Sequence, residues 1–367
     1  MTVNPLQQLK ALGQSVWLDY IQRDILNNGE VASMIEKDGL AGMTSNPTIF
    51  EKAITGHDDY DDAILSLTQR GASARDIYEV LSMNDVRRAA DLFQPVYDGS
   101  NGRDGFVSLE VSPHLAYDTK QTIAEARRLW EELDRPNVMI KVPATPEGLI
   151  AVEQLIAAGV NINVTLLFGL ERYREVADVF MAGLETRAKA GQPLEHVASV
   201  ASFFLSRIDV LVDRRLDELA KSDSDESASA LRGQTAVACA RLAYQHYQNS
   251  MESSRWQALS SQGARPQRLL WASTGTKDPN YSDIKYVESL IGTETVNTMP
   301  PTTLAAYRDH GHPVLRIGQE LDEAAALTEK LSGLGIDIEA ISEQLQAEGV
   351  QKFIDPFEKL LETLRRE

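Results

Sequence analysis

A lysine interrupts the apolar run NVMIKVP at residues 137–143. Val138, Met139, Ile140 and Val142 around it want burial. An ammonium among them must point outward, find a carboxylate or lose its proton. A lysine amine without its proton attacks carbonyl carbon, which makes Lys141 a candidate for covalent chemistry. Side chains alternate along a strand, so Lys141 shares a face with Met139 and leaves Val138, Ile140 and Val142 on the other. The same alternation groups Asp19 with Trp17 in VWLDY, Glu110 with Ser108 in FVSLEV, Asn46 with Thr44 in GMTSNP, and Asn163 with Thr165 in NINVTLL. On each of these segments the polar parity lies opposite the aliphatic one and near the segment's end. The pooled inventory is a lysine, two carboxylates, two amides and a threonine, with no cysteine and no histidine cluster.

Such a set suits a class I aldolase-type site. Lys141 would form a Schiff base with a ketone, and the iminium would act as an electron sink while an adjacent C–C bond breaks to leave an enamine. Asp19 and Glu110 can serve as base and acid, and Asn46 and Asn163 can orient hydroxyls. The iminium takes the place of a Lewis acid, so neither a metal nor another cofactor is expected.

The elements that must carry these residues are short and regularly spaced. Strands are predicted at 15–20, 39–45, 105–111, 137–143, 160–168, 196–204, 268–274 and 293–299, each rich in Val, Ile or Leu and bounded by Gly, Pro or Asn. Helical periodicity follows them: Ile123, Ala126, Trp130 and Leu133 recur on one face, as do Leu170, Tyr173, Ala177, Phe180 and Leu184. Eight strands alternating with helices predict an α/β (β/α)8 TIM barrel, whose chemistry sits at the C-terminal ends of the strands. Helical insertions are expected in 47–104, as HDDYDDAILSLTQRG and SARDIYEVLSMNDVRRAADLF. Two more helices are expected in 205–267, split by the acidic loop KSDSDESASALR. With C-terminal helices beyond about 319, these account for a chain of 367 residues read as a single barrel domain over 1–367.

The late strands offer a place for a phosphate. SFFLSR supplies Ser202 and Arg207, and WASTGTK supplies Ser273, Thr274, Gly275 and Lys277. A small Gly/Ser/Thr turn with two cations beside it suits a sugar phosphate. It would provide local positive charge in a chain of formal net charge −18. That overall charge argues against nucleic acid and anionic lipid as partners. No apolar run approaches the roughly 18 residues of a membrane span, and MTVNPLQQLKALGQ lacks a signal peptide's apolar core. The lone Cys239, in TAVACARLAY, allows no internal disulfide and fits a reducing cytoplasm. It reads as a small buried helix residue. His310-Gly311-His312 reads as a loop without a third metal ligand, and Trp17, Phe168 and Phe204 read as core or pocket wall. The C-terminal IDPFEKLLETLRR is an amphipathic helix that either covers the barrel mouth or forms an interface.

TSNPTIF, NVMIKVPAT, NINVTLLF and SFFLSRID, in this order, resemble the transaldolase family over most of the chain, and the length and insertions are similar to its longer bacterial branch. The resemblance implies Lys141 as the Schiff-base lysine and Asp19 as the base for the C4 hydroxyl. Glu110, with Thr165 and a held water, would carry protons during imine formation. Asn46 and Asn163 would hold the dihydroxyacetone hydroxyls, and Ser202 and Arg207 the phosphate. It further implies reversible transfer of a dihydroxyacetone unit between ketose and aldose phosphates, in the non-oxidative pentose phosphate pathway. A homo-oligomer is compatible with it. One position departs from the family's better-known members. They carry a second arginine after the seventh strand, where WASTGTKDPN offers Lys277, a point charge without the bidentate fork.

Overall fold

The computed structural model describes residues 4–223 and 226–365. Eight parallel strands close into a barrel in sequence order: β1 (Gln14–Asp19), β2 (Gly42–Thr44), β3 (Phe106–Glu110), β4 (Val138–Pro143), β5 (Ile162–Leu167), β6 (Ser199–Phe204), β7 (Arg268–Ala272) and β8 (Thr295–Met299). Each lies within a segment predicted from sequence, or within one residue of it, and most are shorter because chain ends that continue the apolar pattern leave the ladder. This is the predicted (β/α)8 barrel. Parallel strands need a long crossover, and helices covering the outer face of the sheet supply it.

Register fixes which side chains point inward. Asp19 pairs with Thr44, Thr44 with Ser108, Glu110 with Lys141, and Lys141 with Asn163. Neighbours in register share a face, so the polar parity of β1 to β5 fills the barrel interior. The lower barrel is packed and locked. Arg268 pairs with Asp104 at 3.0 Å, and the Trp17 indole N–H donates to the same carboxylate at 3.1 Å. A Cβ on Gly42 would lie 2.5 Å from the Trp17 ring, so only glycine lets that indole cross the barrel there. In β5 the register shifts between Val164 and Leu167, and Leu166 adopts a left-handed φ of 59°. This bulge re-aims the end of the strand that carries Thr165.

The insertions contain more helix than predicted. Asn-Pro at 46–47 opens a full helix, Pro47–Gly56, with Asn46 as its cap and Pro47 in its first turn, where a missing N–H costs nothing. Helix Ala74–Gly99 continues through Pro95, beyond the predicted end at Phe93. Between 205 and 267 the chain forms Ser206–Asp223, the short turn Glu226–Ser229, Thr235–Glu252 and Ser254–Ser260. The predicted acidic loop is thus largely helical at its edges, and its residues 224–225 lie outside the described residues. His310 ends the helix Pro301–His310, and Gly311 and His312 follow it as loop. The helix Ile338–Leu364 packs against Pro47–Gly56, Ala74–Gly99, Ser206–Asp223 and β5. Among the described residues no helix is long and apolar enough to cross a membrane.

Candidate active site

A cavity of about 430 Å³ opens at the C-terminal ends of the strands. Asp19, Asn46, Lys141, Thr165, Ser202, Arg207, Ser273 and Lys277 all line it. Glu110 and Asn163 stand just behind that lining, in contact with it.

Lys141 is 4 % exposed and Glu110 6 %. Lys141 Nζ donates to the Ser45 carbonyl at 3.0 Å and lies 3.3 Å from Glu110 Oε2. Register explains the pairing, since the two residues are Cα partners on adjacent strands. The contact is a charge pair poorly aligned as a hydrogen bond, and neither Glu110 oxygen has a well-formed one. Burial pushes the Glu110 carboxyl above the usual carboxylate range, while the Lys141 charge pulls the other way.

Asp19 ends β1 and is partly exposed to the cavity. It does not cap the next helix, whose cap position is Gln22. Its Oδ1 instead accepts from Thr44 Oγ1 at 2.7 Å, and Thr44 Oγ1 lies 2.7 Å from Thr298 Oγ1. A hydroxyl has one hydrogen. With that of Thr44 given to Asp19, Thr298 must donate to Thr44. The result is a relay from β8 through β2 to β1. Loss of water raises the Asp19 carboxyl, opposed by the Thr44 hydroxyl and by the charges of Lys141, Arg207 and Lys277. Two carboxyls held high, on either side of a buried amine, are the arrangement expected of proton-transfer groups.

The amides differ in their availability. Asn46 Oδ1 accepts from the Ile49 N–H at 3.0 Å, capping the helix. That fixes the amide, so it presents Nδ2 to the cavity. Asn163 Nδ2 donates to Ser108 Oγ at 3.1 Å and its Oδ1 accepts from Ser202 Oγ at 2.6 Å. It is therefore a bridge beneath the cavity floor, with one Nδ2 hydrogen beyond the one given to Ser108. Thr165 Oγ1 and Arg207 Nη1 are buried without a hydrogen-bond partner in the protein. Unpaired buried polar atoms cost stability and are characteristic of ligand sites.

Arg207 lies in the first turn of the helix Ser206–Asp223, its guanidinium 5.5 Å from the Phe204 ring. Facing it is the turn after β7, where Ser273 takes a left-handed φ of 55° and its Oγ lies 2.8 Å from Ser206 Oγ. Lys277 reaches back over this turn, its Nζ 4.0 Å from where a Cβ on Gly275 would sit. A helix N-terminus, an arginine, a lysine and a small-residue turn make an anion site.

Several lining residues escaped the sequence reading. Thr298 is one: it sits in TETVNTM, where polar residues occupy both parities and alternation singles out neither. Lys52 and Thr48 are others, carried by the helix Pro47–Gly56, which was not among the predicted insertion helices. Phe353 comes from the C-terminal helix, whose position relative to the barrel had been left open. Among the described residues no three His, Cys, Asp or Glu side chains cluster to hold a metal ion.

Known proteins are similar to this chain over nearly its whole length. A model of the family described as Transaldolase/Fructose-6-phosphate aldolase matches residues 16–364. A protein named Transaldolase 2 from a Nostoc species is 47 % identical, aligned over 99 % of this chain and 97 % of that protein. Proteins named Transaldolase from Thiobacillus denitrificans and Thermobifida fusca are each 48 % identical, over 98 % and 99 % of this chain and 99 % and 98 % of their own lengths. With the barrel, the buried lysine and this likeness running nearly end to end, the chain belongs to the transaldolase/fructose-6-phosphate aldolase family.

Proposed function

We propose that this chain is a transaldolase that moves a dihydroxyacetone unit from fructose 6-phosphate or sedoheptulose 7-phosphate to an aldose phosphate through a Schiff base on Lys141. The observation that carries the reading is Lys141, buried at the cavity with Glu110 3.3 Å away behind the lining and Asp19 in the same lining. Lys141 adds to the ketose carbonyl after giving a proton to Glu110. Glu110 is the carboxylate paired with that nitrogen at 3.3 Å, and burial, which raises its pKa, favours its protonated form. Glu110 returns the proton to the carbinolamine hydroxyl, water leaves, and the iminium forms, with Thr165 placing the water involved. Asp19 takes the C4 hydroxyl proton, the C3–C4 bond breaks into the iminium, and the aldose phosphate departs. The enamine remains on Lys141 until an acceptor aldehyde arrives and the steps reverse.

Asn46 Nδ2 and the second Nδ2 hydrogen of Asn163 hold the dihydroxyacetone hydroxyls. Ser202, expected with Arg207 at the phosphate, gives its hydroxyl hydrogen to Asn163 Oδ1 at 2.6 Å and so supports the hydroxyl-binding end instead. Arg207, Ser273 and Lys277 bind the phosphate, with lysine acting there as a point charge. Sugar phosphates are then its partners, the cytoplasm its location and the non-oxidative pentose phosphate pathway its setting. The whole chain serves as one barrel domain, and a homo-oligomer is compatible with this.

The test incubates the protein with fructose 6-phosphate and borohydride, then repeats the reaction with and without erythrose 4-phosphate. A three-carbon adduct on Lys141, with sedoheptulose 7-phosphate appearing only when acceptor is present, is expected. No adduct on Lys141 would sink the mechanism. Because the family description also names an aldolase, steady glyceraldehyde 3-phosphate release without acceptor is the second reading, in which water-derived protons quench the enamine.

A further inference from the structure

A transferase of this kind must keep a reactive enamine from being protonated before the acceptor binds. None of the side chains given roles above does that. The C-terminal helix Ile338–Leu364 supplies one that can. Phe353 is 3 % exposed, and its ring centroid lies 5.8 Å from Lys141 Nζ. Among the described residues it is the cavity-lining side chain that this helix contributes.

Its placement is fixed by contacts to the strand ends. Gln346 Nε2 donates to the Ala144 carbonyl at 2.7 Å, just past the lysine strand, and lies 3.4 Å from the Leu166 carbonyl in the β5 bulge. One turn on, a Cβ on Gly349 would be 2.9 Å from the Leu166 side chain, so glycine permits the closest approach of helix to barrel. Phe353 follows at the next turn on the same face. Beyond it, Lys359 pairs with Glu51 at 2.6 Å, tying the helix to the one that Asn46 caps.

The geometry points to Phe353 as a positioning and specificity residue: its ring covers the Lys141 nitrogen against bulk water and so commits the enamine to an aldehyde. The ring face also suits a cation at that nitrogen, first the ammonium and then the iminium. It offers no hydrogen to the carbon that must stay unprotonated. Without the ring, solvent would protonate the enamine carbon. The resulting iminium would take up water, dihydroxyacetone would leave, and the Lys141 amine would be regenerated. Retro-aldol cleavage would then turn over without acceptor.

This inference rests on the transaldolase reading, and one experiment separates the two. Glyceraldehyde 3-phosphate release from fructose 6-phosphate is measured with and without erythrose 4-phosphate for wild type, Phe353→Ala and Phe353→Leu, alongside borohydride trapping on Lys141. In wild type the acceptor-independent rate should be a small fraction of transfer. The ratio of the two rates should rise at least tenfold in Phe353→Ala and less in Phe353→Leu, with trapping retained. A merely structural role would lower both rates together and leave the ratio unmoved. A ratio within twofold of wild type in the variants overturns the inference, as does a wild type that already leaks as fast as it transfers. If Phe353→Ala does not fold, Phe353→Leu, which keeps apolar bulk, decides alone. Wild type that neither transfers nor is trapped defeats the transaldolase reading itself, and is recognised without any variant.

Discussion

Thr44→Val should shift the acid limb of the pH–rate profile upward by about one unit. Valine keeps the shape of the side chain and removes the only hydrogen that Asp19 Oδ1 receives from β2, across 2.7 Å. A hydrogen bond to an ionised group contributes roughly 1.5–3 kcal/mol, and about 1.36 kcal/mol corresponds to one pKa unit. The full difference would be about one to two units. The neutral acid recovers part of the interaction in the wild type, because a protonated Asp19 can itself donate to Thr44 Oγ1 while Thr44 turns its hydrogen to Thr298. That places the expected shift near the lower figure. The direction follows from which form loses its partner. The hydroxyl favours the carboxylate, against the burial that already raises Asp19, so its removal raises the pKa further. The base form is then reached only at higher pH. The assay is kcat/KM for fructose 6-phosphate with saturating erythrose 4-phosphate across the acid limb. The variant should lose about tenfold on that limb and recover on the plateau. An equal loss at every pH would mean that Thr44 positions substrate or strand instead, and no change would remove Asp19 as the titrating base.

Lys141→Ala should abolish borohydride trapping and turnover, and a rate within tenfold of wild type would refute covalent catalysis. Asp19→Asn should lose activity yet raise the melting temperature at pH 7 and above. A carboxyl whose folded pKa is raised contributes stability at acid pH and loses it as pH climbs through that raised value, so the gain from asparagine should vanish below the ordinary aspartate range. Differential scanning calorimetry at two pH values checks both signs. Arg207→Gln should raise KM for fructose 6-phosphate at least tenfold while leaving an unphosphorylated ketose unaffected; equal losses on both would take Arg207 out of phosphate binding. Gly42→Ala should destabilise by about 1–3 kcal/mol, because a Cβ would meet the Trp17 ring at 2.5 Å. A denaturant midpoint equal to wild type would show that the indole can move aside.

How much could be read beforehand follows the period of the structure. Inward and outward positions alternate along every strand. Lys141, Asp19, Glu110, Asn163 and Thr165 therefore stood out as polar residues on the parity opposite their aliphatic neighbours. On β8 the rule singles out no inward residue, because both parities carry polar side chains. There Asn297, buried with both polar side-chain atoms unpartnered, takes the outward parity, and Thr298 turns in to meet Thr44 at 2.7 Å. Alternation names two faces, and only pairing with β1 says which of them is the inside. Asn46, expected to contact substrate, also caps a helix, and the geometry permits both: its Oδ1 accepts from the Ile49 N–H while the residue lines the cavity.

Phe353 shows where local pattern ends. IDPFEKLLETLRR announces an amphipathic helix, but amphipathicity says only that one face is covered, not by what. The specifying contacts are Gln346 with the Ala144 carbonyl and Gly349 against Leu166, separated along the chain by well over a hundred residues. The Leu166 carbonyl is within reach of Gln346 in a bulge that the sequence, with no Gly or Pro in β5, did not mark. Catalytic groups on strands could be read because the barrel repeats their geometry eight times. The helix over the mouth is unique in the fold and obeys no repeat. A residue that decides between aldehyde and water as the enamine's fate can therefore sit where periodicity has nothing to say. Substitutions at Phe353, Gly349 or Gln346 should accordingly alter the partition between transfer and release more than they alter formation of the Schiff base.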